Sequence, residues 1–249
     1  MKKKYPLILV ASSVIMLAAS TIGSTRATLT YMSDNYLAQI DVKSIGVTLT
    51  ENGKDVSWRD YQHRDDAWSE STGTLLDDML ANAGDDKLIL DKQYDEHLAV
   101  KNSGTIDEYV RVTVSHYWVD QECGVKRGDL DPSKININFT NNGWVEDTSA
   151  ATTERNVFYY STILKKGATS SDFADKISIS SDIAKIVGQT SETDSNGYTT
   201  ITTTYEYDGA QFVLEATVDA VQTHNAQDAI KSAWGVDVNV SDDGALSLN

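Results

Sequence analysis

The chain has 249 residues, with 37 acidic against 21 basic side chains and a formal net charge of −16. Phosphate backbones are bound by clustered Lys and Arg, so this balance argues against a nucleic-acid partner. With 40% hydrophobic and 23% charged residues the composition is that of a globular protein with a sizeable core, and a single cysteine, Cys123, excludes an intramolecular disulfide framework.

Lys2, Lys3 and Lys4 precede an apolar run from Pro6 to Ala19, followed by small and polar residues up to Ala27. That three-part layout predicts a secretory signal peptide over residues 1–27, with Thr25 and Ala27 at the small-residue positions and cleavage between Ala27 and Thr28. An uncleaved anchor is the rival reading, although about 20 predominantly apolar residues are normally needed to span a membrane. Cleavage would remove four positive charges and no negative one, taking the net charge from −16 to −20.

The mature chain reads as strands. Ile45, Val47 and Leu49 alternate with Gly46 and Thr48 until Asn52-Gly53 signals a tight turn. The clearest period of two runs from Tyr109 to Val119, with Val110, Val112, Val114, His116 and Trp118 on one face and Arg111, Thr113 and Ser115 on the other. Further strands are expected at Leu98 to Val100, Ile135 to Phe139, Phe158 to Leu164, Ile177 to Ser180, Tyr198 to Tyr207, Phe212 to Gln222, Val236 to Val240 and Ala245 to Leu248. Helices are expected at Thr74 to Ala83, and after Asn225, where Asp228 makes a capping-box-like start and Gly235 a stop. No Pro-rich or Ser/Gly-rich linker divides the chain, so residues 28–249 read as a single, mainly β, sandwich-like domain with short helical excursions.

Chemistry-bearing motifs are sparse. The four histidines, His63, His97, His116 and His224, are nowhere three to five residues apart, and neither HExxH nor GxSxG occurs in the mature chain. No catalytic residue, metal ligand or cofactor is therefore expected. His116, in phase with Val112, Val114 and Trp118, reads as a hydrogen-bonded core histidine. Glu192-Thr-Asp194-Ser-Asn196-Gly197 resembles a calcium loop, but Thr203 stands where the closing carboxylate is required, and a hairpin turn explains the segment. Cys123 reads as an inert thiol in a turn. Among the tryptophans, Trp118 and Trp234 are expected in the core and Trp144 at the surface.

Thr25-Arg-Ala-Thr-Leu-Thr-Tyr-Met-Ser-Asp-Asn-Tyr36 followed by Ile45-Gly-Val-Thr-Leu49 resembles the start of TasA/camelysin-type proteins. Val100-Lys-Asn-Ser-Gly104 with Glu108-Tyr-Val-Arg-Val112, Val157-Phe-Tyr-Tyr160 with Leu164-Lys-Lys-Gly167, and Ala220-Val-Gln-Thr-His-Asn-Ala-Gln-Asp-Ala229 with Trp234-Gly235 extend the likeness over nearly all of the mature chain. The resemblance implies a jelly-roll-like β-sandwich of a Gram-positive bacterium, processed by a SipW-type signal peptidase and secreted to the cell surface or into a biofilm matrix. It also implies a self-assembling fibre, in which the mature N-terminus of one subunit fills a strand position in the next, with an accessory protein as a possible anchor. The segment 28–38 would be the donor, with Thr28, Leu29, Thr30, Tyr31 and Met32 as the pairing strand: it lacks proline and alternates Leu29 with Tyr31, as strand addition requires. Cleavage after Ala27 would then act as the assembly switch. A secreted metallo-endopeptidase of the camelysin type, or a non-polymerising adhesin or minor fibre subunit, is the alternative.

Overall fold

The computed structural model of the protein describes residues 44–63 and 67–249. Strand β1 (Val47–Glu51) turns at Asn52-Gly53, both with positive φ (51° and 78°), into β2 (Lys54–Asp60). Positive φ at both central residues matches the twist of the flanking strands, which is why Asn-Gly is suited to this position. After β3 (Ser69–Ser71) and a single helical turn, α1 (Met79–Asn82), come β4 (Tyr94–Asn102), β5 (Glu108–Asp120), β6 (Ile135–Phe139), β7 (Trp144–Glu146), β8 (Arg155–Tyr160) and β9 (Ala174–Ile179). The chain continues through β10 (Ile186–Thr193), β11 (Thr199–Tyr205), β12 (Ala210–Gln222), α2 (Ala226–Trp234), β13 (Val238–Val240) and β14 (Leu246–Leu248).

All strand pairings among the described residues are antiparallel. One sheet has the order β3-β2-β1-β4-β9-β6 and the other β12-β5-β8-β7, while β10-β11 and β13-β14 are separate hairpins. The fold is thus a mainly β, antiparallel, sandwich-like assembly of sheets with two short helices.

Three apolar clusters hold it together. Between the sheets lie Val47, Leu49, Leu98 and Val100 of one sheet and Val110, Val112, Val114 and Phe158 of the other. On the outer face of the four-stranded sheet, Tyr109, Val157 and Tyr159 pack under Ala226 and Ile230 of α2 and under Val238 and Leu246. Met79, Tyr94, Trp118, Ile135, Ile177 and Ile179 form the third. Each fully buried Val, Leu or Ile contributes roughly 1.5–3 kcal/mol relative to exposure.

Several expectations are corrected. The helix expected over Thr74 to Ala83 shrinks to one turn, because Leu76 adopts a left-handed backbone (φ 68°). Asn225 is itself left-handed (φ 49°) and makes no side-chain capping bond, so α2 starts without the expected capping box; Gly235 does end it, with φ 74°. The strand expected to reach Leu164 ends at Tyr160, and Leu164 instead bridges Glu108. Trp144 is buried, not exposed: it packs against Tyr160 and Phe173, and its indole N–H donates to the Ser171 carbonyl at 2.9 Å.

Candidate strand-acceptor edge

β12 is a thirteen-residue strand on the rim of its sheet, paired along its whole length with β5 and with no strand on its other side among the described residues. Its register places Phe212 beside Trp118, Leu214 beside His116, Ala216 beside Val114, Val218 beside Val112 and Ala220 beside Val110. The alternation on both strands turns these side chains inward together. The two rows differ in cover. Val112 and Val114 are fully buried, whereas Phe212, Leu214, Ala216, Val218 and Ala220 are only half-buried.

The reason is a groove alongside β12. Three adjoining cavities of about 640, 200 and 340 Å³ are lined in turn by Gln211–Thr217, Ala216–Val218 and Val218–Ala220. The opposite wall is built by Val47, Leu49, Val56 and Ser57, and by the segment joining β3 to α1. At the far end, Ile45 and Gly46, next to the start of the described chain, meet Val218, Ala220 and Trp234. A strand edge presents unpaired N–H and C=O groups, and a groove beside it presents pockets for alternate side chains, the two requirements for strand addition.

Along Arg111 to Ser115 and Glu215 to Asp219 the outward face of the same strand pair is polar. Arg111 Nη2 and Nε donate to Asp219 Oδ2 at 2.6 and 3.1 Å, and the guanidinium lies 5.2 Å from the Trp234 ring centroid. Tyr117 donates to Glu215 at 2.8 Å; this bond and then burial raise the tyrosine pKa above its usual range. This face is satisfied by its own side chains, which leaves the inward row and the free edge as the incomplete parts of β12.

The other sequence-level candidates are dispersed. Ala27, Thr28, Leu29, Thr30, Tyr31 and Met32, the expected cleavage site and donor strand, lie outside the described residues. His63 stacks on Trp58 at 4.4 Å and bonds Asp60 through Nδ1, and His97 Nδ1 is 2.7 Å from Asp172. His116 is buried as expected, but among the described residues its Nδ1 has no hydrogen-bond partner, and burial lowers its pKa despite the nearby Glu154. Among the described residues no group of three His, Cys, Asp or Glu side chains is arranged to hold a metal ion. Asp194 to Gly197 forms the β10-β11 turn, where Asp194 Oδ1 accepts from the amides of Asn196 and Tyr198, both at 2.9 Å. Cys123 is exposed and donates to Asp120 Oδ1.

The feature that sequence reasoning missed is the open edge. The alternation at 212–220 announces a half-buried strand, but which strand ends up on the rim depends on pairings across the whole chain. Fold and site define a β-sandwich with an incomplete sheet edge. No protein-family model, curated protein or solved structure matches the chain.

Proposed function

We propose that the protein is a secreted structural subunit that assembles head to tail into extracellular or cell-surface fibres, the mature N-terminus of one copy adding a strand beside β12 of the next. The observation that carries this reading is the contrast along β12: an unpaired edge, and an inward apolar row left half-covered above a groove. Leu29 and Tyr31, at alternate positions in the short segment Thr28–Met32, supply side chains of the kind such a row accommodates. A donor that belongs to one copy and a groove that belongs to another make a heterologous contact, which propagates into an open filament.

Processing between Ala27 and Thr28 by a SipW-type signal peptidase, a jelly-roll-like winding of the sheets, placement at the surface or in the biofilm matrix of a Gram-positive bacterium, and an anchoring accessory protein belong to the same reading. They rest on the resemblance to TasA/camelysin-type proteins. The role requires no cofactor and no catalytic group.

Electron microscopy of the chain beginning at Thr28, beside a version lacking residues 28–38, tests the reading. Filaments are expected from the first and not from the second. Filaments from both preparations, or from neither under any salt or pH, overturn it.

A further inference from the structure

The groove beside β12 is partly filled by the protein itself. Thr72 to Asp77, between β3 and α1, forms its wall opposite Gln211–Thr217. The segment is exposed except for two leucines. Leu75 packs into the inter-sheet cluster together with Leu214 and Ala216, and Leu76 packs into the third cluster together with Phe212 and Leu214. They therefore take up space beside the inward row that an added strand would have to cover.

The segment is fastened at a few points. Gly73 crosses β2 so closely that a Cβ there would lie 2.1 Å from the Val56 carbonyl oxygen. The Leu76 amide donates to Glu51 Oε1 at 2.8 Å, and Lys54 pairs with Asp78 at 2.8 Å. Leu76 is held left-handed (φ 68°), a conformation unfavourable for a residue with a branched side chain beyond Cβ. Against these ties, burial raises the pKa of Glu51, and the charges of Asp77 and Asp78 add to the rise, while the Leu76 bond and Lys54 oppose it. Few apolar contacts, a strained residue and a carboxylate anchor under like-charge repulsion describe a segment drawn from the low-stability end of the fold.

Resting on the reading of β12 as a strand acceptor, we propose that Thr72–Asp77 is an autoinhibitory strap. Its leucines wall and narrow the groove of the isolated subunit, and it withdraws when the N-terminal strand of a second copy pairs with β12. The strap keeps the inward row covered before a donor arrives and sets the barrier to addition.

Hydrogen exchange on the unmodified chain beginning at Thr28, compared between monomer and filament, tests this. Amides of residues 211–220 are expected to exchange more slowly in the filament, and those of 72–78 about tenfold faster, because the Leu76 amide loses its carboxylate acceptor. Protection at 211–220 with unchanged or slower exchange at 72–78 overturns the strap and leaves the acceptor reading intact. No change at 211–220 in filaments overturns both. A Leu75→Ala subunit is expected to shorten the assembly lag about tenfold, since it vacates the groove. An unchanged or longer lag in a variant with the native circular dichroism spectrum counts against the strap, and if that variant does not fold, exchange on the unmodified chain decides.

Discussion

Glu108 Oε1, at the start of β5, accepts a 2.7 Å hydrogen bond from the Gly46 amide, just ahead of β1, and so ties the two sheets together at the end where the described chain begins. The carboxyl group is fully buried, its other oxygen has no partner among the described residues, and burial pushes its pKa up to about 8, a rise to which Asp107 adds and which the Gly46 bond opposes. Gly104 makes this possible, because a Cβ there would lie 2.4 Å from Glu108 Oε1.

The folded protein therefore holds a proton on Glu108 that the unfolded chain, with the ordinary value of 4.5, gives up earlier. Stability is greatest below pH 4.5 as far as this group is concerned, and falls as pH rises toward 8, by several kcal/mol in all, on the order of 1.4 kcal/mol per unit. Glu108→Gln is expected to flatten that fall. Chemical denaturation of both proteins at pH 5, 6, 7 and 8 checks it; parallel curves would show that Glu108 does not titrate in this range.

Truncation on the two strands of one inward-facing cross-strand pair should separate folding from assembly. Val112→Ala removes methyl groups from a fully buried site and should cost about 2–3 kcal/mol of subunit stability. Val218→Ala, its half-buried neighbour on β12, should cost under about 1 kcal/mol in the monomer. Val218→Ala should also raise the critical concentration for filaments. Denaturant titration and sedimentation of filaments measure the two effects.

A lysine at Thr217, an exposed position on the β12 rim, should block strand addition by placing a desolvated charge at the seam, while shifting the melting temperature by no more than about 2 °C. Thermal melting with electron microscopy distinguishes this from a folding defect.

Gly73→Ala should destabilise the subunit by more than about 1 kcal/mol, since the new methyl meets the Val56 carbonyl oxygen and β2 must shift to admit it. Denaturant titration of the monomer measures this.

If cleavage after Ala27 and head-to-tail assembly occur as proposed, copies with a net charge of −20 must approach one another, so filaments should form faster as salt rises from 20 to 500 mM and as pH falls from 7 to 4, about tenfold or more at the extremes. Light scattering follows the rate, and insensitivity to both variables would contradict it.

The strands with strict alternation were legible in the sequence. β5 matches the expectation at Tyr109 to Val119 within one residue at each end, β6 matches Ile135 to Phe139, and the Asn52-Gly53 turn lies where expected. β2, β3, β7 and β10 were not, because Lys54–Asp60 and Ile186–Thr193 carry polar residues on both faces, and Ser69–Ser71 and Trp144–Glu146 are too short for a period to show. Trp144 followed a polar Asn-Asn-Gly turn, yet its indole N–H found the Ser171 carbonyl 27 residues away and let the ring enter the core. The open edge is of the same kind: Phe212 to Ala220 reads as a strand from local pattern alone, but its lack of a second neighbour among the described residues follows from where the twelve strands other than β12 and β5 settle in their sheets and hairpins.

The β10-β11 hairpin, finally, contributes no side chain to any of the three apolar clusters, and its Asp194–Gly197 turn is held by the Asp194 carboxylate alone with the backbone. An epitope or fluorophore grafted between Ser195 and Asn196 would ride on an arm that neither packs the three clusters nor lines the β12 groove, which makes this turn a handle for following the proposed assembly one subunit at a time.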